Sequence, residues 1–297
     1  MHDLLGDTSF ITLPRLSSGK VREMYDLGDS LLMVVTDRIS AFDVVFDQLV
    51  PDKGRVLSGI SAFWFNYLQS VMPNHLLTTD PALYPAITAP WRQQLEGRSM
   101  LVQKAQMLPV ECIVRAYLDG SALKEYRAYG TVAGETMPAG LRQGDKLPRL
   151  LFTPSTKEES GHDRNITREE LAHLIGRQAA ELLADRSLAL FAAAEAHAQA
   201  ADIILADSKF EFGYINGELV VADELFTPDS SRFWDQKLYR PGGPQASFDK
   251  QYLRDYLETL DWDKTYPAPA LPQDVIRKTA SRYREAYERL TGHPLAD

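Results

Sequence analysis

Asp207, Lys209 and Glu211 alternate with Ser208, Phe210 and Phe212 in the run Asp-Ser-Lys-Phe-Glu-Phe-Gly. Successive side chains of a strand point to opposite faces, so the three charges line one face while Phe210 and Phe212 line the other. Asp223 follows on the returning segment. Carboxylates beside an ammonium group in one row can hold a divalent cation against a phosphorylated ligand. The same row would also suit the solvated face of an antiparallel sheet. The next turn, Thr227-Pro228-Asp229-Ser230-Ser231-Arg232, adds hydroxyls and a guanidinium able to meet an anion.

The turn that closes this hairpin decides which residues face each other. A two-residue Asn216-Gly217 turn sets Ile215 opposite Glu218 and Asp223 opposite Phe210, on the apolar face. A three-residue turn, Ile215-Asn216-Gly217, sets Tyr214 opposite Glu218 and Lys209 opposite Asp223. Burying an unpaired carboxylate costs several kcal/mol, so the sequence predicts the three-residue register.

Other clusters repeat the theme. Ser17-Ser18-Gly19-Lys20-Val21-Arg22 brings small residues and two cations to the start of a strand, where they would cover phosphates or form a plain surface turn. Thr36 to Asp43 is a polar run after an apolar strand, a loop or a ligand edge. Glu111 and Arg115 share a strand face, as an internal ion pair or, with Gly120-Ser121, as an anion site. His162 has no second His or Cys at ligand spacing, which argues against zinc.

These residues need a frame. Segments 21–26 and 31–36 read as an antiparallel hairpin around Gly28. Segments 42–49 and 100–104 read as a further strand pair, 111–117 as a strand and 58–71 as a helix, so the first hundred or so residues form a small α+β unit. The Gly- and Pro-rich stretch 129–165 reads as a long loop walling the site. Thr167 and Glu170 form a capping box for a helix carrying Leu171, Leu174, Ile175, Leu182 and Leu183, and Ser187 opens a second, Ala-rich helix. Two helices close the chain, the last over 273–290 with Gly292 beyond it.

Composition narrows the classes. The 297 residues carry 32 Lys and Arg against 41 Asp and Glu, a net charge of -9 that disfavours wholesale nucleic-acid binding. The single cysteine, Cys112, sits among apolar residues and suits a reducing compartment. No apolar run approaches the roughly 20 residues of a membrane span, so a cytoplasmic protein without membrane or nucleic-acid partners is expected.

Taken in order, the clusters resemble one family, the phosphoribosylaminoimidazole-succinocarboxamide synthases or SAICAR synthetases. The resemblance runs from Gly19-Lys20-Val21-Arg22 through Val110-Glu111-Cys112-Ile113-Val114-Arg115, Gly120-Ser121, Phe152-Thr153-Pro154-Ser155-Thr156-Lys157 and Gly161-His162-Asp163. It continues through Asp207-Ser208-Lys209-Phe210-Glu211-Phe212-Gly213 and Thr227 to Trp234, to Ser247-Phe248-Asp249-Lys250-Gln251-Tyr252 and Arg254-Asp255-Tyr256. It implies an α+β fold with a strand-rich ATP-binding subdomain over 1–110 and a larger α+β substrate subdomain over 111–297. The implied reaction joins L-aspartate to carboxyaminoimidazole ribonucleotide with ATP and magnesium, giving SAICAR, ADP and phosphate in de novo purine biosynthesis. A carboxylate is a poor electrophile, so ATP first phosphorylates it and the amine then displaces phosphate, chemistry that rests on positioning and charge neutralisation.

By the family pattern Gly19, Lys20, Arg22, Lys104 and Glu111 bind ATP, and Glu211 and Asp223 hold magnesium. Asp207 and Lys209 act at the reacting carboxylate, while Arg115, Ser121, Ser231 and Arg232 hold the nucleotide substrate. A protein-kinase-like phosphotransferase is the rival enzyme, although His-Arg-Asp and Asp-Phe-Gly elements are missing. A nucleotide-sensing module is the rival from another class. ADP release that depends on aspartate separates all three.

Overall fold

A computed structural model describes residues 3–157 and 164–296. His162 and the rest of the 161–163 motif lie outside the described residues. The N-terminal part is a five-stranded antiparallel sheet in the order Arg15–Ser18, Arg22–Asp26, Ser30–Val35, Ser99–Gln103 and Leu76–Thr78. Gly28 turns the expected hairpin with a φ of 88°. Helix Lys53–Tyr67 buries Val56, Leu57, Ile60, Trp64 and Phe65, packing this row against Met33, Val35 and Val102 of the sheet.

Segment 42–49 does not pair with 100–104. Strand Val44–Leu49 instead folds back on Arg38–Ala41, and Ser99–Gln103 pairs with Ser30–Val35. Phe42 and Asp43 both adopt left-handed backbone, with φ of 51° and 63°, which closes a two-residue turn locally. A contact across so short a loop wins over one that must close a loop several times longer.

The second sheet has seven strands. Its centre is the 13-residue strand Ile203–Ile215, flanked by Val110–Tyr117 on one side and by Glu218–Ala222 and Ser231–Asp235 on the other. Helix Arg177–Ala200 lies behind it, burying Leu183, Leu190, Phe191 and a file of alanines whose small side chains allow close approach to the strands. The 129–165 stretch is no single loop. Lys146–Phe152 pairs with Val110–Tyr117 through an irregular register between Lys146 and Leu151, which accommodates Pro148 on a sheet edge.

The capping box at Thr167 and Glu170 is present, but its helix ends at Ile175, where Gly176 turns with a φ of 88°. The Ala-rich helix starts at Arg177, so Ser187 lies inside it, buried, rather than at its start. The strong helix formers from Gln178 to Leu183 extend that helix back to the glycine. Helices Gln251–Leu257 and Gln273–Thr291 close the chain as expected, the latter capped by left-handed Gly292.

The hairpin register differs from the expectation. Ile215 pairs with Glu218 and Glu211 with Ala222, so the turn is the two-residue Asn216-Gly217, with φ of 52° and 83°. No carboxylate is buried on the apolar face by this register, because Asp223 does not continue the strand. Pairing stops at Ala222, and Asp223 takes a left-handed backbone with a φ of 65°. Its carboxylate reaches Arg22 Nη2 at 2.7 Å instead of entering the core.

Candidate active site

The central strand delivers the charged row in sequence. Asp207 lies between two guanidinium groups: Arg115 Nη1 approaches its Oδ2 at 3.1 Å, and Arg232 Nη1 contacts the same oxygen. Arg115 also donates to Ser121 Oγ at 2.9 Å and Thr153 Oγ1 at 2.9 Å. It therefore pairs with Asp207 and not with Glu111, so the internal Glu-Arg pair does not form. Ser231 donates to Ser208 Oγ at 2.8 Å. Arg115, Ser121, Asp207, Ser231 and Arg232 line one cavity of about 230 Å³ together with Lys209, Ser230, Asp249 and Arg254.

Burial pushes the Arg115 guanidinium down against the pull of Asp207, whereas Asp207 raises that of Arg232. Two guanidinium groups share one carboxylate, which leaves the wall positive and suited to an anion. Gly120, with a φ of 57°, lies against Arg232, and a Cβ there would collide with the guanidinium. Asp119 caps the helix that follows by accepting from Gly120 N at 2.7 Å.

Two residues on, Lys209 bonds Glu111, which also accepts from Ser155 Oγ at 3.3 Å. Burial opposes the Lys209 charge, but Glu111, with Glu211 and Glu224 beyond it, raises the ammonium above its ordinary range. Two residues further, Glu211 accepts from Lys157 Nζ at 2.5 Å. Burial, then the nearby Asp223 carboxylate, raise Glu211. Burial also works against charge on Asp223, yet Arg22 and then Lys209 hold it below the usual range. Arg22 bonds Glu224 at 3.2 Å as well. Glu211 and Asp223 are thus neighbouring carboxylates bordered by three cations.

Among the described residues no group of three or more His, Cys, Asp or Glu side chains forms a ready metal cage. A pair of carboxylates still fits magnesium, which is commonly bound by one or two carboxylates with substrate phosphates and water filling the rest.

Other expected residues stand at the margins. Lys20 contacts Asp43, and Gly19 N closes a tight turn on Arg22 O at 2.8 Å. Lys104 bonds Asp26 at 2.9 Å, at the opposite end of strand Arg22–Asp26 from Arg22, and does not join the charged row. The sequence reading missed Lys157 as a partner of Glu211, and Glu224, Asp249 and Arg254 as members of the site. Lys157 comes from a segment whose approach no local periodicity encodes. Asp229, in the serine-rich turn, is held from behind by Lys53 at 2.9 Å and Lys250 at 2.8 Å.

The sequence pattern described as SAICAR synthetase matches residues 15–269. The chain is 55% identical over 293 residues to the phosphoribosylaminoimidazole-succinocarboxamide synthase of Geobacter sulfurreducens, covering 98% of this chain and 99% of that one. It is 53% identical over 293 residues to the enzyme of that name from Geotalea uraniireducens, with the same coverage. The solved SAICAR synthase from Saccharomyces cerevisiae complexed with SAICAR superposes with a TM-score of 0.89 at 40% identity, over 98% of this chain and 99% of that one. A SAICAR synthetase in complex with ADP shares the fold, with a TM-score of 0.68 at 24% identity over 94% of this chain and 98% of that one.

Proposed function

Because this chain belongs to the SAICAR synthetase family, ligases that add aspartate at the expense of ATP in purine biosynthesis, we propose that it acts through a phosphorylated carboxylate. The observation that carries the reading is the order along one strand. Asp207 fixes the Arg115 and Arg232 wall, Lys209 follows, and Glu211 then lies near Asp223, which Arg22 holds. An anion wall, an ammonium and a carboxylate pair stand in the order that a phosphorylated nucleotide, its carboxylate and an ATP phosphate chain require.

In this reading Arg115, Ser121, Ser231 and Arg232 hold the phosphate of carboxyaminoimidazole ribonucleotide, and Asp207 orients the two guanidiniums. Lys209 lies at the nucleotide's carboxylate. A carboxylate oxygen attacks the γ-phosphorus of ATP, the bond to the bridging oxygen breaks and ADP leaves. The amine of L-aspartate then attacks the acyl carbon, the carbon–oxygen bond breaks, inorganic phosphate departs and the amine proton passes to solvent. Glu211 and Asp223 would hold magnesium, which supplies neutralisation of the phosphate oxygens when bound. Arg22, with Lys20 and Gly19 at the turn, would cover the phosphates, and Glu111 and Lys104 would complete the ATP side.

The same reading assigns ATP to the unit over 1–110 and the other substrates to 111–297, and places the protein in the cytoplasm. In support of that location, Cys112 is a buried free thiol, pushed up to about 12 by burial. No described helix is long and apolar enough to cross a membrane.

The test is ADP release with each substrate omitted in turn, joined to isotope scrambling. ADP should accumulate only with the ribonucleotide, L-aspartate, ATP and magnesium together. With aspartate withheld, ATP labelled with ¹⁸O at the β–γ bridge should scramble its label, because phosphoryl transfer precedes amine attack. Steady turnover without aspartate overturns the ligase reading; absence of scrambling, with free ADP rotation established, overturns the phosphorylated intermediate.

A further inference from the structure

A turn that covers phosphates must offer them N–H groups and keep its carbonyl oxygens away, because a carbonyl oxygen beside a phosphate repels it. The turn Gly19 to Arg22 meets this demand through a residue of the polar run Thr36 to Asp43. Arg38 opens strand Arg38–Ala41, and its guanidinium reaches back to the turn. Nε donates to Lys20 O at 3.0 Å and Nη2 to Gly19 O at 3.0 Å. Two successive carbonyls are thus drawn to one side. The peptide bonds that carry them are trans, so the N–H groups of Lys20 and Val21 point to the opposite side.

The guanidinium is itself held in place. Nη2 also donates to Glu23 Oε1 at 2.6 Å, and Nη1 donates to Gly6 O at 3.2 Å. Glu23 is buried; Ser18 Oγ donates to the same carboxylate oxygen at 3.1 Å, and Arg15 lies 3.7 Å from the other. One planar fork therefore meets two carbonyls of the turn, a buried carboxylate and the N-terminal segment, an arrangement that the point charge of a lysine cannot reproduce. Thr36 fixes the next carbonyl along, since its N and its Oγ1 both donate to Val21 O at 2.8 Å. Lys20 joins the same hairpin by contacting Asp43. The turn then leads at Arg22 to Asp223, 2.7 Å away.

We propose that Arg38 is a positioning residue for ATP: by drawing the Gly19 and Lys20 carbonyls to itself it turns the N–H side of those two peptides toward the phosphate chain. Arg38 acts through the backbone of the turn and not by touching the nucleotide. This inference rests on the reading that the Gly19 to Arg22 turn covers the ATP phosphates.

The test measures binding of magnesium–ATP by titration calorimetry in the full-length protein, beside binding of the ribonucleotide substrate, steady-state kinetics and thermal unfolding. Arg38→Met removes every donor and keeps the stem. Arg38→Lys keeps a charge for Glu23 but cannot span both carbonyls. Lys20→Met leaves the backbone of the turn in place and asks whether the turn meets phosphates at all. We expect Arg38→Met to weaken magnesium–ATP about tenfold and to raise the KM for ATP in proportion, with the ribonucleotide affinity within twofold. Arg38→Lys should recover the midpoint of unfolding and not the ATP affinity. Recovery of both by lysine overturns the proposal, because a charge beside Glu23 would then be all that is needed. A parallel fall of both affinities and the midpoint in both Arg38 variants marks a merely structural role and overturns it too. Parental ATP binding in the Arg38 variants with loss in Lys20→Met overturns the proposal while sparing the reading of the turn; parental binding in all three overturns that reading as well. If Arg38→Met fails to fold, Arg38→Lys decides: ATP weakened about tenfold with parental ribonucleotide binding supports the role, and parental ATP binding refutes it.

Discussion

Lys209 illustrates how a buried charge is kept available. It is bound to Glu111, whose carboxylate raises the ammonium despite burial, so the charge persists at neutral pH and faces the cavity. An ammonium neutralising charge in the transition state is commonly worth a hundredfold or more in rate. Lys209→Met should therefore lose on the order of a hundredfold in kcat. It should also lose stability, because Glu111 is left buried with Ser155 as its one remaining partner among the described residues. The double variant Lys209→Met with Glu111→Gln should regain much of the unfolding free energy, measured in urea, without regaining rate. If the single variant turns over within a few fold of the parent, Lys209 is no more than the counter-ion of Glu111.

At the scale of elements, the reading succeeded where one residue type forces one geometry. The Gly28 hairpin, the Thr167 and Glu170 capping box, the Gly292 cap and the alternation of charged and aromatic residues from Asp207 to Phe212 all formed as expected. It failed where the chain leaves a regular element at a non-glycine residue. Phe42, Asp43 and Asp223 all have positive φ, a choice that local composition does not announce. The Asn216-Gly217 pair, in contrast, was the strongest local turn signal in the segment, and it prevailed. Partners brought in from far along the chain, such as Lys157 on Glu211, also lay beyond any local pattern. Gly120 offers a test of element geometry, since its left-handed φ strains a non-glycine residue and a Cβ there would run into the Arg232 guanidinium. Gly120→Ala should displace Arg232, raise the KM for the ribonucleotide about tenfold or more and leave the KM for ATP unchanged. Equal effects on both would mean that this turn serves stability and not the anion wall.

For the molecule as a whole, one buried cluster joins parts distant in sequence. Asp229, in the serine-rich turn, accepts from Lys53 of the N-terminal helix at 2.9 Å and from Tyr283 of the last helix at 2.7 Å, and pairs with Lys250 at 2.8 Å. Burial opposes charge on Asp229, but Lys250 and Lys53 together depress its carboxyl, so its stabilising contribution is present above its unfolded value of 3.8 and fades as pH falls below it. Lys53 has the opposite sign. Burial brings it from 10.5 to about 8, so the folded protein releases this proton before the unfolded chain does, and the cost of the buried ammonium fades as pH rises from 8 to 10.5. An order follows for two variants. Asp229→Asn leaves two ammonium groups facing a neutral amide and should cost about 3–5 kcal/mol. Lys53→Met leaves Asp229 still paired with Lys250 and Tyr283, fills the space with apolar atoms and should cost less. The advantage of Lys53→Met over Asp229→Asn at pH 7 should be plain in urea unfolding. Between pH 8 and 10 the parent should gain on Lys53→Met, because only the parent has this lysine to discharge. If Lys53→Met proves the more damaging at pH 7, or if the parent gains nothing in that window, the cluster is held by something other than the one carboxylate at its centre.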